Sequence, residues 1–399
     1  MNNRLPESKL RVKDGDFVRN AVNVDISDAG SFSRRQGAVL GLGGVDCHSF
    51  WSCHDVGFFI DGSTLYRVVG SADALVKNAI ATVTPGLRMS YCHTGLDIRA
   101  SNGVQSFKIS LAGVVSSWAV PTPRYRPLIT AETGGALAGG IYRIVLSYTN
   151  ADGEEGGTTQ PLSATVPDNG KITLSGIPHE AGLITNVYVT PANGDMFFRA
   201  AQPTTAGLIL STTPDNGVRP IGLLLAPMPA GQIVRHLNGR TLVSNGNVLV
   251  YSEAHNPSLH NPARNYIYFS EPITMIEPCV NGVYISADQT YWVGGDIADA
   301  ALNLLLPYRA IAGTSGAAPN KNLVWWMSER GMVTGDNTGA IKNMQEKDVA
   351  VTPALVGASL FREQNGTRQM IASLFSPQST VVAASSYMDA EIVRKGTVL

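Results

Sequence analysis

One pattern of short strands returns five times along the 399-residue chain. An apolar or aromatic run leads into a turn with Gly, then a strand of alternating residues, an Asp/Asn/Gly turn and another strand. The copies open at Ser49-Phe50-Trp51-Ser52-Cys53, Met89-Ser90-Tyr91-Cys92, Val234-Arg235-His236-Leu237, Ile276 and Leu323-Val324-Trp325-Trp326. Short β-branched and aromatic runs, punctuated by Asn, Gly, Asp and Pro, read as antiparallel strands joined by tight turns. Successive copies lie about forty to fifty residues apart, the period of a β-propeller blade. The stretch Val250–Gly295 shows the elements most clearly. It holds a strand ending in Tyr251-Ser252-Glu253, a loop with two Asn-Pro dipeptides, and the run Ile273-Thr274-Met275-Ile276. A hairpin at Gly282 and a strand on Tyr291-Trp292-Val293 complete it, and the whole reads as one four-stranded sheet.

The step from the second copy to the third is roughly a hundred residues too long for that period. The excess is bracketed by Pro121-Thr122-Pro123-Arg124-Tyr125-Arg126-Pro127 and by Pro227-Met228-Pro229. Proline on both flanks stiffens the joints of a domain inserted into a host fold. The expected organisation is therefore a first propeller part at 1–120, an insert at 121–229 and a second propeller part at 230–399. Inside the insert, strands are expected at Tyr142–Tyr148, Ile172–Leu174, Asn186–Val189 and Met196–Arg199. Turns fall at Asn150-Ala151-Asp152-Gly153 and Asn193-Gly194. That spacing fits an immunoglobulin- or fibronectin-like β-sandwich.

An open ring of blades leaves exposed sheet edges, which pairing of the chain ends removes. Val18–Arg35, turning at Asp28-Ala29-Gly30, reads as one hairpin. Ser359–Phe361 and Gln369–Ala372 read as another, around Asn365-Gly366. A last blade built from both ends gives a propeller of about six blades.

Composition narrows the function. Lys+Arg number 30 against 31 Asp+Glu, so the charge balance carries no footprint for a phosphate backbone. A 44% apolar and 15% charged chain is that of a folded protein. The N-terminus MNNRLPESKL lacks the apolar core of a signal peptide, and no run approaches a membrane-spanning length. The expectation is a protein neither exported by that route nor spanning a membrane. Four cysteines without a CxxC pair suit free thiols in a reducing cytoplasm.

The chemical motifs are thin. Cys47-His48, Cys53-His54 and Cys92-His93 lack the ligand spacings of a structural zinc site, and no metal is expected. Cys53, Cys92 and Cys279 recur at one place in their repeats and read as small buried strand residues. Ser286–Trp292 echoes the Asp-box turn without its Gly and reads as an ordinary hairpin with a packed Trp. Gly313-Thr314-Ser315-Gly316 lacks the second spacer of a nucleophile elbow. Gly170-Lys171-Ile172-Thr173 is no phosphate loop, and Asn365-Gly366-Thr367 is a glycosylation sequon only in a secreted eukaryotic protein. No catalytic residue and no cofactor are expected. Asp152, Glu154 and Glu155 sit close together on a hairpin tip, where water solvates them, so they do not form a catalytic carboxylate pair. Trp325, Trp326, Tyr266 and Tyr268 could form a sugar platform, but alternation in strands makes most of them core or inter-blade packing.

Several stretches resemble the propeller-bearing tail tube and nozzle proteins of short-tailed bacteriophages. They are Asn3-Arg4-Leu5-Pro6, Ala21-Val22-Asn23-Val24-Asp25 and Arg34-Arg35-Gln36-Gly37, then Tyr251-Ser252-Glu253 with Tyr268-Phe269 and Pro272-Ile273-Thr274, then Trp326–Gly331 and the hairpin from Tyr148. The likeness implies a structural virion protein, made in the bacterial cytoplasm, forming a ring of identical subunits taken as a hexamer. Such a ring would sit below the portal and adaptor, extend the channel for double-stranded DNA, retain and release the genome, and offer a place for tail fibres. Asp152, Glu154 and Glu155 are the candidate subunit or fibre contacts. The competing expectation is a glycan-binding or glycan-hydrolysing propeller. A third is a cellular propeller scaffold.

Overall fold

Each of the five repeated patterns folds as a four-stranded antiparallel sheet. The computed structural model describes the chain apart from residues 1, 12, 14, 23, 27–30, 36–39, 72–73, 215–216, 300, 352–353, 365–366, 376–388 and 394–399. The first sheet joins Cys47–Cys53, Val56–Asp61, Thr64–Val69 and Val76–Thr82. The second joins Ser90–His93, Ile98–Ser101, Ser106–Ile109 and Val115–Ser117. The third uses Ile233–Leu237, Arg240–Asn245, Val248–Tyr251 and Tyr266–Tyr268. The fourth has Met275–Cys279, Gly282–Ser286, Thr290–Gly294 and Asn303–Leu306, and the fifth Gly316–Ala317, Leu323–Ser328, Gly331–Asp336 and Ile341–Asn343. Turn chemistry sets the registers. At Leu237↔Arg240, for instance, Asn238 and Gly239 both take positive φ (47° and 78°), as a two-residue hairpin matched to strand twist requires.

Val250–Gly295 is divided between two sheets rather than forming one. Tyr266–Tyr268 returns to pair with Val248–Tyr251, closing the third sheet, and the fourth begins only at Met275. The loop carrying Asn256-Pro257 and Asn261-Pro262 makes that return. Its Leu259–His260 pairs with Ala226–Pro227 instead of joining the ladder.

By internal packing the chain divides into two units. The first comprises Met1–Gly62, Tyr66–Ala79 and Phe269–Leu399, the second Ser63–Leu65 and Ile80–Tyr268. In the first unit the fourth and fifth sheets share one apolar cluster. Met275, Cys279, Tyr284 and Trp292 pack there with Val324, Trp326 and Val333. Two glycines admit the rings. A Cβ on Gly335 would fall 2.5 Å from Tyr284 Cζ, and one on Gly282 would fall 2.6 Å from the Trp292 ring. Burial pushes the Tyr284 hydroxyl and the Cys279 thiol up from their usual ranges.

The chain ends meet in the first unit. Phe17–Val22 pairs antiparallel with Asp389–Val393, from Phe17↔Val393 to Val22↔Asp389. Asn2 donates to the Asp348 carboxylate (2.9 Å) and Arg4 to the Val349 carbonyl (2.9 Å). The end strands do not merge into one four-stranded blade among the described residues. Val24–Ile26 pairs with Phe32–Arg34, and Val356–Gln364 with Thr367–Phe375, its start also bridging in parallel to Ala312. Among the described residues the end strands therefore form three two-stranded ribbons, each with edges left open to further pairing. The turns expected at Asp28-Ala29-Gly30 and Asn365-Gly366 lie outside the described residues.

In the second unit, the second and third sheets pack on each other although more than a hundred residues separate them in sequence. Cys92 and Trp118 meet Val234, Val243 and Val250 in one cluster, and the Val234 N–H donates to Ser90 Oγ at 3.0 Å. The intervening segment builds its own two sheets. One orders Leu128–Leu137, Gly170–Ser175 and Gly207–Leu210; the other orders Leu162–Val166, Gly140–Thr149, Ile184–Val189 and Phe198–Ala201. Leu137, Tyr142, Ile144, Leu146, Ile172, Leu174, Val187 and Leu210 form a single core between them. Val145 and Tyr188, on the other face of the four-stranded sheet, are buried with Phe197. Burial on both faces explains why Tyr142–Tyr148 is a nearly continuous apolar run without alternation.

Cys92 and Cys279 are buried as expected, whereas Cys53 is half-buried and Cys47 exposed. Among the described residues no helix is long and apolar enough to cross a membrane.

Candidate functional site

The hairpin after Tyr148 is shaped by Asn150. Its side-chain oxygen accepts from the backbone N–H groups of Asp152 (3.0 Å) and Glu154 (2.9 Å), and Gly153 takes φ 80°. This turn sends the three acidic residues different ways. Asp152 points outward, its side chain 72% exposed, with Lys108 Nζ 3.9 Å away. Glu154 is half-buried and holds Lys108 Nζ at 2.7 Å and the Asn150 amide at 3.0 Å. Glu155 bridges back to Thr149 and turns into the fold. It accepts from Tyr188 Oη (2.7 Å), Ser147 Oγ and the Ile221 N–H (3.0 Å). Burial, then the neighbouring Glu155 carboxylate, pushes the Tyr188 hydroxyl up. The expectation that water solvates all three carboxylates therefore holds for Asp152 and fails for Glu155, because strand alternation resumes there and aims it at the sheet.

A cleft of about 440 Å³ opens beside the hairpin, with Asp97, Arg99, Glu154, His236, His255 and Ser258 among its lining. Arg99 is 2% exposed. It grips Asp97 with both arms (Nε–Oδ1 2.9 Å, Nη2–Oδ2 3.0 Å), and Nη1 donates to Ser258 Oγ (3.1 Å) and the Trp118 carbonyl. The Trp118 indole donates in turn to the Pro257 carbonyl at 3.1 Å. One guanidinium thus ties the second sheet, the start of the proline joint and the loop of the third sheet together. Asp97, Glu154 and Glu155 each already hold a cation or donors. Their chemistry here is cohesion: none stands as a desolvated acid beside a free base, the pairing that glycoside hydrolysis uses.

Next to the cleft runs Ile221-Gly222-Leu223-Leu224-Leu225. The Leu225 N–H closes a turn on the Gly222 carbonyl (3.1 Å), and Leu224 sits at φ 57°, a position that suits Gly or Asn. Its N–H donates to the buried Thr158 hydroxyl at 2.9 Å, which holds the turn. Ile221, Leu223 and Leu224 are 70%, 38% and 41% exposed. Since Leu224 contributes strain and little burial, Leu224→Asn is expected to raise stability by about 0.5–1 kcal/mol. Urea denaturation checks it, and an unchanged midpoint would show that the leucine packs as well as it strains.

The aromatic residues divide. Trp325 (3% exposed) and Trp326 (0%) are core, while Tyr266 and Tyr268 (50% and 69%) stand out on the edge strand of the third sheet. Trp292 packs on Tyr284 with ring centroids 4.6 Å apart, as an ordinary hairpin residue does. Sequence reasoning missed Arg99 and the exposed Arg124-Tyr125-Arg126. Only the flanking prolines marked the latter.

No family model matches the chain, and no curated protein matches it in sequence. Solved structures that align with it include BBS1N in complex with ARL6DN (10% identity, 86% of this chain and 96% of that one, TM-score 0.32). Others are YCF48 from Cyanidioschyzon merolae (11%, 80% and 89%, TM-score 0.31) and AztD from Citrobacter koseri (9%, 82% and 87%, TM-score 0.25). At TM-scores of this size none carries an argument about this chain.

Proposed function

We propose that the chain is a non-enzymatic building block of a phage virion, a tail tube or nozzle subunit. It is a β-propeller of about six blades with an immunoglobulin- or fibronectin-like sandwich inserted at 121–229. The observation that carries the reading is the packing of the second sheet on the third across the whole intervening segment. That segment meanwhile folds around a core of its own. A host array interrupted by a segment with its own core is the organisation expected from the repeat spacing, and the resemblance to tail tube and nozzle proteins extends to both parts. Pairing of the two chain ends supports it, since a rigid closed domain offers fixed surfaces for a ring of identical copies. In that role the ring lies below the portal and adaptor, is taken as a hexamer, and extends the channel through which double-stranded DNA leaves. Its near-neutral charge avoids the salt-dependent grip that a basic lumen would exert on sliding DNA.

Negative-stain electron microscopy of the purified protein, alone and with its portal–adaptor complex, tests the proposal. Rings with a central hole in either sample are the expected result. Single particles in both, without docking, would overturn it and direct attention to a glycan-binding propeller, tested by retention of host polysaccharides and release of reducing sugar.

A further inference from the structure

We propose that Arg124, Tyr125 and Arg126 receive the Asp152 hairpin of the next copy in the ring, an inference that rests on the tail-ring reading above. The three residues are exposed, Tyr125 by 74%, while Pro123 and Pro127 on either side are buried. The segment starts from Trp118, which is 2% exposed and held by Arg99 and the Pro257 carbonyl. Anchored at both ends, with φ fixed by proline, it presents its side chains with little freedom left to lose on binding. Neither Arg124 nor Arg126 has a hydrogen-bond or ion-pair partner among the described residues. Tyr and Arg are the residues enriched at the energetic centres of protein interfaces, and guanidinium forks match carboxylates.

The occupant follows from charge and symmetry. Of the three hairpin carboxylates, Glu154 and Glu155 are committed within the chain, which leaves Asp152 outward with a single cation 3.9 Å off. The basic patch and the acidic tip are different segments of one subunit, and neither is its own complement. Contact between the patch of one copy and the tip of the next is heterologous, the kind of contact that builds a ring wherever the rotation about its axis closes.

Charge reversal tests this. Arg124→Glu/Arg126→Glu is expected to raise the concentration for half-assembly by about tenfold or more, as is Asp152→Arg. Combining the reversals should restore most of it. Arg124→Gln/Arg126→Gln, with unchanged circular dichroism, repeats the test without introducing acids into the joint. Rings forming at the wild-type concentration in the Arg variants would overturn the assignment, as would a loss that Asp152→Arg fails to restore. Intact rings that no longer retain double-stranded DNA would overturn it in favour of a phosphate partner. Wild-type protein that forms no ring at all would remove the tail-ring reading itself, a result distinct from these.

Discussion

Arg99→Ala is expected to destabilise the second unit by about 3–5 kcal/mol, the cost of stranding one half of a buried ion pair. The Arg99 side chain is 2% exposed and its partner Asp97 19%. Removal leaves the Asp97 carboxylate with only the Thr94 hydroxyl (2.7 Å) of its side-chain donors. The Trp118 carbonyl keeps Ser258 Oγ at 3.1 Å but loses its charged donor. The loss is not local to one strand, because Arg99 joins Ile98–Ser101 to the Trp118 and Ser258 segments. Arg99→Lys should fall between, since an ammonium keeps the charge but cannot grip Asp97 bidentately while donating to two further oxygens. Equilibrium urea unfolding followed by far-ultraviolet circular dichroism, with hydrogen exchange over Ser90–Ser117, measures both variants. A cost below about 1 kcal/mol for Arg99→Ala would mean that the pair behaves like a solvent-exposed one.

How far the sequence speaks for this fold depends on which force decides each element. The five repeats were legible because turn chemistry and aromatic strand residues fix them locally: Asn238-Gly239 can hardly be anything but a hairpin turn. The division of Val250–Gly295 was not legible, since an uninterrupted series of strands does not say where one ladder ends. Only the return of Tyr266–Tyr268 onto Val248–Tyr251 decides it. Leu128–Leu137 went unread for a related reason. Its Gly134-Gly135 pair looks like a break, yet it accommodates an irregularity between Thr133 and Leu137 in a continuing ladder. At the candidate site, Asp152 was correctly placed at an exposed tip. Glu155 was not, because its burial depends on Tyr188 and Ile221, far away in the chain. Arg99 was invisible for the same reason: a charged residue in a strand reads as a solvent-facing one until the Trp118 and Ser258 segments close over it.

Trp326→Ala is expected to cost about 3–5 kcal/mol, against less than about 1.5 kcal/mol for Trp326→Phe. Trp326 is fully buried between the fourth and fifth sheets, its ring centroid 5.4 Å from that of Tyr284. Tyr284 is itself confined, with its hydroxyl donating to the Asp336 carbonyl at 2.7 Å and its ring lying over Gly335. Held by that bond, Tyr284 cannot swing into the space an alanine would leave, so the cavity stays largely open and the penalty lies in the upper range. Phenylalanine keeps most of the contact. It also sacrifices no hydrogen bond, since Trp326 Nε1 has no acceptor among the described residues. The two variants therefore separate packing from polarity. Unfolding midpoints, with exchange protection over Met275–Asp336, measure both. Equal costs for Ala and Phe would mean that the neighbouring side chains collapse into the gap, and that these two sheets are held by their ladders more than by the aromatic cluster between them.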